Sequence, residues 1–261
     1  MSGGLEFDHE TSRKVESTYL TPDVVAQRRH TLDMLRLESG ERVLDIGSGP
    51  GLLAAEMAEA VGAAGRVCGL DTAPAMVEMS KRRCRQQSWV DFELADATEL
   101  PYPDEAFDAA VSPPVSEYVD DVPAALGELY RVLRPGGRTL ILDTDWDSVA
   151  IHTGDTERMK RILSVWDEHF VHPRLPRTLS FELRNAGFTI EERDVIPLFN
   201  PEYRDDTYSK SILEFIASFV AGRQGVTPDE AWAWHAEFEE LASSGQYFFC
   251  INRYVFLASR P

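Results

Sequence analysis

The stretch VLDIGSGPG at residues 43–51 constrains this chain more than any other. Three apolar residues interrupted by Asp45, then Gly47, Gly49 and Gly51 with Ser48 among them, predict a buried strand that turns tightly into a helix. Glycine is needed where a Cβ would block a positive φ or keep a ligand away from the backbone. The helix that follows presents unpaired N–H groups at its first turn. A tight turn between strand and helix needs no ligand, so the continuation decides whether this corner binds one.

Leu52, Leu53, Met57, Ala58 and Val61 continue as an apolar helical stripe ended by Gly62 and Gly65, and a short apolar run over 67–70 closes on Asp71. An acid at the end of the second strand of a βαβ unit is placed to accept hydrogen bonds from ribose hydroxyls. The corner is therefore read as a nucleoside site. Its glycine spacing is G-x-G-x-G, where a nicotinamide oxidoreductase would carry G-x-G-x-x-G, and no P-loop Lys-Ser/Thr follows.

VLDIGSGPG, GLDTAPAMVEMSKRR, LADATELPYPDEAFDAAVS and YRVLRPGGRTLILD, in that order, resemble the Rossmann-like (class I) methyltransferases that use S-adenosylmethionine, in particular the small-molecule group with the ubiquinone and menaquinone C-methyltransferases. The resemblance is strong over 22–143 and holds only in outline beyond. It implies an α/β fold with a doubly wound, mostly parallel seven-stranded sheet of order 3-2-1-4-5-7-6, the last strand antiparallel. It also implies S-adenosyl-L-methionine as cofactor, with S-adenosyl-L-homocysteine as product. Carried over residue by residue, Asp45, Gly47, Ser48, Gly49 and Gly51 surround the methionine part, Asp71 takes the ribose, and Asp96 with Ala97 meets the adenine. Thr72, Met76 and Ser112 complete the cofactor set. Without the resemblance, Met76 reads as core and Asp96 as a turn cap.

A chain of 261 residues suits one α/β domain with an insertion, and 43% hydrophobic residues suffice for a core. No apolar run approaches the roughly 20 residues of a membrane span, and the first residues, MSGGLEFDHETSRKVE, lack the apolar stretch of a secretory signal. Three unpaired-looking cysteines point to a reducing compartment, and cytoplasm is the expectation. The net charge of −18 would repel nucleic acid, and Lys81, Arg82, Arg83 and Arg85 on a helix read as a solvated face.

Residues 1–20 read as polar and loose, with Tyr19 able to touch ligand or to pack on the domain edge. Thr21 and Pro22 start a helix, as N-cap and first helical residue, and the resemblance implies that 1–40 forms an N-terminal helical cover over the cofactor. Strands are predicted over 42–46, 66–70, 89–95, 107–112, 139–142, 188–198 and 246–258, and helices over 73–87, 122–133, 155–170, 175–186, 212–221 and from 227 onward. The insertion at 200–245 is expected to cap the crevice as a substrate lid, with Phe215, Ile216, Phe219, Trp232, Trp234 and Phe238 partly facing it.

Ser112-Pro113-Pro114-Val115 is similar to the [DNS]-P-P-[YFW] signature of enzymes that methylate exocyclic amino nitrogens, but Val115 removes the stacking ring and leaves Tyr118 one turn on; two prolines stiffening the loop is the other reading. Asp143, Asp145 and Asp147 around Trp146 close the fifth strand, where open α/β sheets bind substrate. Asp145, Tyr118 and His152 are the catalytic candidates, His152 as general base. Tyr19, Pro113, Pro114, Trp146, Asn200, Tyr203 and Tyr247 are the substrate candidates. His169 and His172 lack a third ligand, and no metal is expected. The resemblance implies in-line methyl transfer, here to a small, partly apolar acceptor. A transfer to an amino group, and a nucleoside-binding protein of this fold without transfer activity, are the alternatives.

Overall fold

The computed structural model describes residues 9–261. Its sheet holds β1 (Arg42–Ile46), β2 (Arg66–Asp71), β3 (Val90–Leu94), β4 (Phe107–Ser112), β5 (Leu133–Thr144), β6 (Ala150–Ile151), β7 (Thr189–Asn200) and β8 (Phe249–Ser259). The helices are α1 (His9–Tyr19), α2 (Pro22–Leu35), α3 (Leu52–Val61), α4 (Pro74–Arg83), α5 (Val122–Val132), α6 (Thr156–Trp166), α7 (Pro176–Asn185), α8 (Tyr208–Val220) and α9 (Pro228–Ser243).

The strands run β3-β2-β1-β4-β5-β8, the first five parallel and β8 antiparallel to β5, with β7 antiparallel on the other edge of β8. An eighth strand departs from the expected seven. Thr144 pairs with Arg253, the chain then leaves the sheet, and β6 resumes on Cys250 and Phe249, which β7 pairs from the opposite edge. β6 is thus the fifth strand resumed after an interruption, and the expected order is otherwise kept.

Alternation along the strands divides the core. Leu44, Leu70, Ala110 and Ile141 pack on one face against Leu126 and Leu129 of α5 and Leu179 and Leu183 of α7. Val43, Val67, Val111 and Leu140 pack on the other against Leu35 of α2, Met57 and Val61 of α3 and Val77 of α4. A third cluster joins α6, α8 and α9 to Phe249 and Ile251 at the start of β8.

Three local expectations are corrected. Residues 9–19 are helical, because Ser12, Val15 and Thr18 form a buried stripe that only neighbouring helices cover; the rest of the segment read as loose lies outside the described residues. Thr21 stands at the N-cap position, but its hydroxyl donates back to the Thr18 carbonyl (2.8 Å), and the Asp23 carboxylate accepts from the Val24 N–H (2.9 Å) instead. β5 begins at Leu133 because the segment 133–138 pairs with β4 across a register shift, not as a turn alone.

Candidate functional site

The glycine corner opens a cavity of about 790 Å³ at the carboxyl ends of β1, β2, β3 and β4. Gly47, Gly49 and Gly51 have φ of 69°, 50° and 75°, which a side chain would strain. A Cβ on Gly51 would also lie 2.8 Å from the Ser80 Cβ, so that glycine serves the close approach of α4. Gly47, Ser48, Gly49 and the first turn of α3, Leu52 and Leu53, line the cavity; Gly51 does not.

Asp71, Thr72 and Met76 line the next part of the wall, and Asp96 and Ala97 the part beyond β3. The Asp71 carboxylate accepts from the Gly49 N–H (2.9 Å) and the Ala73 N–H (2.8 Å), which fixes the turn and leaves each oxygen a further lone pair. Asp96 accepts from the Thr98 N–H (2.8 Å) and hydroxyl (2.6 Å) through one oxygen, so it caps a turn while facing the cavity. Asp45 is placed differently from the expectation. It is fully buried behind the turn, neither oxygen has a hydrogen-bond partner, and burial followed by the nearby Asp71 pushes its pKa up to about 8. Ser112 likewise ends β4 buried and off the wall.

Pro113, Pro114 and Tyr118 carry the wall past β4, and Tyr19 of α1 and Gln27 and Arg28 of α2 cover it. The Arg28 guanidinium donates to the Tyr19 carbonyl (3.0 Å) and to Glu56 (2.7 Å), tying α1, α2 and α3 together. A second, inner chamber of about 80 Å³ shares Tyr19, Pro114, Tyr118, His169 and Arg253 with the first. Its own walls include Glu117, Trp146, Trp166, Tyr208 and Phe215.

Residues 44–141 match the Methyltransferase domain family. The chain is 32% identical over 87% of its length to a 37.1 kDa protein of transposon Tn4556 from Streptomyces fradiae, of which the match takes in 65%. It is 42% identical over 40% of its length to the 2-phytyl-1,4-naphtoquinone methyltransferase of Synechococcus elongatus, of which the match takes in 46%. The chain thus spans about half to two thirds of these curated relatives. In fold it is similar to phosphoethanolamine N-methyltransferase 2 of Haemonchus contortus in complex with S-adenosyl-L-methionine, at a TM-score of 0.64, 20% identity, 98% of this chain and 58% of that one. Residues 44–141 thus carry a methyltransferase domain, on the fold of the class I methyltransferases.

The cofactor of such domains is S-adenosylmethionine, and the chain has a wall suited to it. Glycines with positive φ, helical N–H groups and two acids at successive strand ends lie around one continuous cavity.

Several predicted residues lie elsewhere. Asp145 is tied to Arg177 (2.7 and 3.0 Å) and caps the turn through the Asp147 N–H (3.1 Å), and His152 is exposed beyond β6; neither lines either chamber. Asn200 bonds Asp23 (2.8 Å) and the Ser209 N–H (3.0 Å). Tyr203 bonds His235 (3.0 Å) and packs on Tyr247 (ring centroids 5.0 Å apart), so these three serve the cap's packing. Long-range contacts claim these side chains, and strand-end position alone could not show it. Of the insertion, Tyr208, Ile212 and Phe215 of α8 reach the inner chamber; Trp234 and Phe238 of α9 are fully buried in the third cluster.

The sequence reading passed over Glu117 and Arg253 and took Asp143 only as one of three acids at the end of the fifth strand; all three are buried polar groups next to the inner chamber. The Trp146 indole N–H donates to Glu117 (3.2 Å), and burial above all pushes the Glu117 pKa up to about 7, against the opposing charge of Arg253. Burial and then the Glu117 charge raise that of Asp143 well above the carboxylate range. His169, packed among Trp166, Phe170 and Phe219, is pushed down to about 4 by burial and then Arg223. Two local signals pointed to Glu117 and Arg253: an acid three residues after the paired prolines, and an arginine on the strongly apolar last strand.

Proposed function

We propose that this chain transfers the methyl group of S-adenosylmethionine to a small, partly apolar acceptor seated in the inner chamber. One observation carries the reading: the nucleoside-type wall and the aromatic inner chamber meet at Tyr19, Pro114 and Tyr118. When bound, the cofactor supplies an electrophilic methyl at its sulfonium. Asp71 would hold the ribose, Asp96 and the Ala97 N–H the adenine, and the glycine turn with the start of α3 the methionine end. Tyr19 and α1 cover the junction and exclude water, while Trp146, Trp166 and Phe215 bury the acceptor's apolar part at about 25 cal/mol per Å². The Synechococcus relative is named for a phytyl-naphthoquinone, which supports an acceptor with an apolar part.

An amino acceptor is a second reading, favoured by Tyr118 beside Pro113 and Pro114 and by the buried Glu117 carboxylate. Calorimetry with S-adenosylhomocysteine, followed by mass spectrometry of methylated products across a panel of hydroquinones, phenols and amines, tests both. No binding of S-adenosylhomocysteine would overturn the function; products confined to amines would select the second reading.

A further inference from the structure

Glu117 lies in the 3-10 turn Ser116–Tyr118, which Val115 separates from the paired prolines. Opposite it, β5 and β8 bring Thr144 level with Arg253, with Asp143 one residue before. Glu117, Thr144 and Arg253 all line the inner chamber, and Arg253 also reaches the cofactor cavity, so it stands at their junction. Arg253 is 4% exposed. One of its terminal nitrogens donates to Gln27 of α2, its guanidinium lies 4.9 Å from the Tyr208 ring, and its Nε has no partner. Burying an arginine with unspent donors is costly unless something accepts from them.

Two carboxylates and one guanidinium here have a definite proton balance. Two neighbouring buried acids do not both ionise readily. With Asp143 protonated and Glu117 ionised, the group is neutral against Arg253. A neutral acceptor that gives a proton to Glu117 leaves its own anion opposite Arg253, and the chamber stays neutral throughout. A cation would meet Arg253 at the same junction.

We propose that Glu117 is the base that takes a hydroxyl proton from the acceptor and that Arg253 holds the resulting oxyanion, which makes the acceptor a phenol or enol. The proposal rests on the methyl-transfer reading above. In the step, the acceptor O–H bond breaks, its proton bonds to the Glu117 carboxylate, and the electron pair stays on the acceptor as the nucleophile. The groups that share this field are Asp143 from β5, Arg253 from β8, Tyr19 from α1, Tyr208 from α8, and His169 and Tyr118 from the turns. The tyrosines stay protonated, since burial raises their pKa values. His169 stays neutral.

The test is calorimetric binding of 4-nitrophenolate in buffers of different ionisation heat, which counts protons taken up, at mildly alkaline pH with and without S-adenosylhomocysteine. The unmutated protein is expected to take up close to one proton per anion bound. Glu117→Gln, which mimics the protonated base, is expected to take up almost none and to bind the anion about tenfold more tightly. Arg253→Gln is expected to weaken the anion at least about tenfold while S-adenosylhomocysteine still binds. No proton uptake by the unmutated protein, uptake unchanged in Glu117→Gln, or tighter binding of phenyltrimethylammonium than of 4-nitrophenolate would each overturn the proposal. The unmutated protein decides the first and last of these even where a variant fails to fold. Failure of the methyl-transfer reading shows separately, as absent heat with S-adenosylhomocysteine.

Discussion

Asp71 illustrates how one residue serves turn and ligand together. Its oxygens already take the Gly49 and Ala73 N–H groups, so Asp71→Ala removes the turn's anchor as well as the ribose acceptor. Cofactor affinity is expected to fall by about 1.5–3 kcal/mol, read by calorimetry, with the loss larger than that for Asp96→Ala, whose carboxylate is exposed. Asp45 governs stability instead. Its pKa is raised by burial to about 8 in the folded chain, whereas unfolded chain loses the proton near the ordinary value of 3.8. The folded state therefore binds more protons between those values, and stability from this group, full below about pH 4, declines as pH rises toward about 8. Asp45→Asn removes that slope. Its melting temperature is expected to gain on the parent's as pH goes from about 5 to about 8; a pH-independent difference would contradict the burial account.

Among the elements, α3 and α4 meet without room for a side chain at Gly51. Its Cβ would come within 2.9 Å of the Ser80 backbone as well as 2.8 Å of its side chain, at a φ of 75°. Gly51→Ala is expected to cost about 1–3 kcal/mol in urea unfolding, and Ser80→Gly to relieve only the side-chain contact, since the approach to the Ser80 Cα and the positive φ remain. The cap helices divide their work. Trp234 of α9 is fully buried, edge-on to Phe238 at 4.9 Å, so Trp234→Ala is expected to cost about 3–5 kcal/mol. Phe215 of α8 faces the inner chamber. Phe215→Ala is expected to change acceptor turnover and leave cofactor affinity as it was, measured by calorimetry beside product analysis. That outcome would assign the lid role to α8, with α9 packed behind it.

Across the whole molecule, a net charge of −18 works against compactness. Many of its basic residues are already spent in pairs such as Arg138 with Glu41 and Arg131 with Glu128. Raising ionic strength from about 0.01 M to about 0.15 M shortens the Debye length from about 30 to about 8 Å and is expected to raise the melting temperature. A fall on adding salt would show that the surface pairs outweigh the general repulsion. Among the described residues, no helix is long and apolar enough to cross a membrane.

Local patterns were enough to read the individual parallel strands and the glycine corner with Asp71, while the strand order and the place of Asp96 came from the family resemblance. Positive-φ glycines, the period of the strand and helix stripes, and an acid at a strand end are properties of short segments, so 43–51 and Asp71 could be placed without knowing what packs on them. Helix α1 could not, because its polar sequence forms a buried stripe only where other helices supply the covering surface. Nor could the inner chamber. Glu117, Asp143 and Arg253 come from three distant parts of the chain, and burial in the assembled fold is what shifts the acids and leaves the arginine with donors to spare. Asp145 and His152 held the same strand-end position in sequence as a base would, but Arg177 and the end of β6 take them away from the cavity. Sequence by itself determined the strands and helices of the parallel half and the glycine corner, because those depend on backbone conformation and hydrophobic period. Tertiary structure alone decided which charged groups face the acceptor, because desolvation and charge pairing depend on what surrounds a side chain once the chain has closed over it.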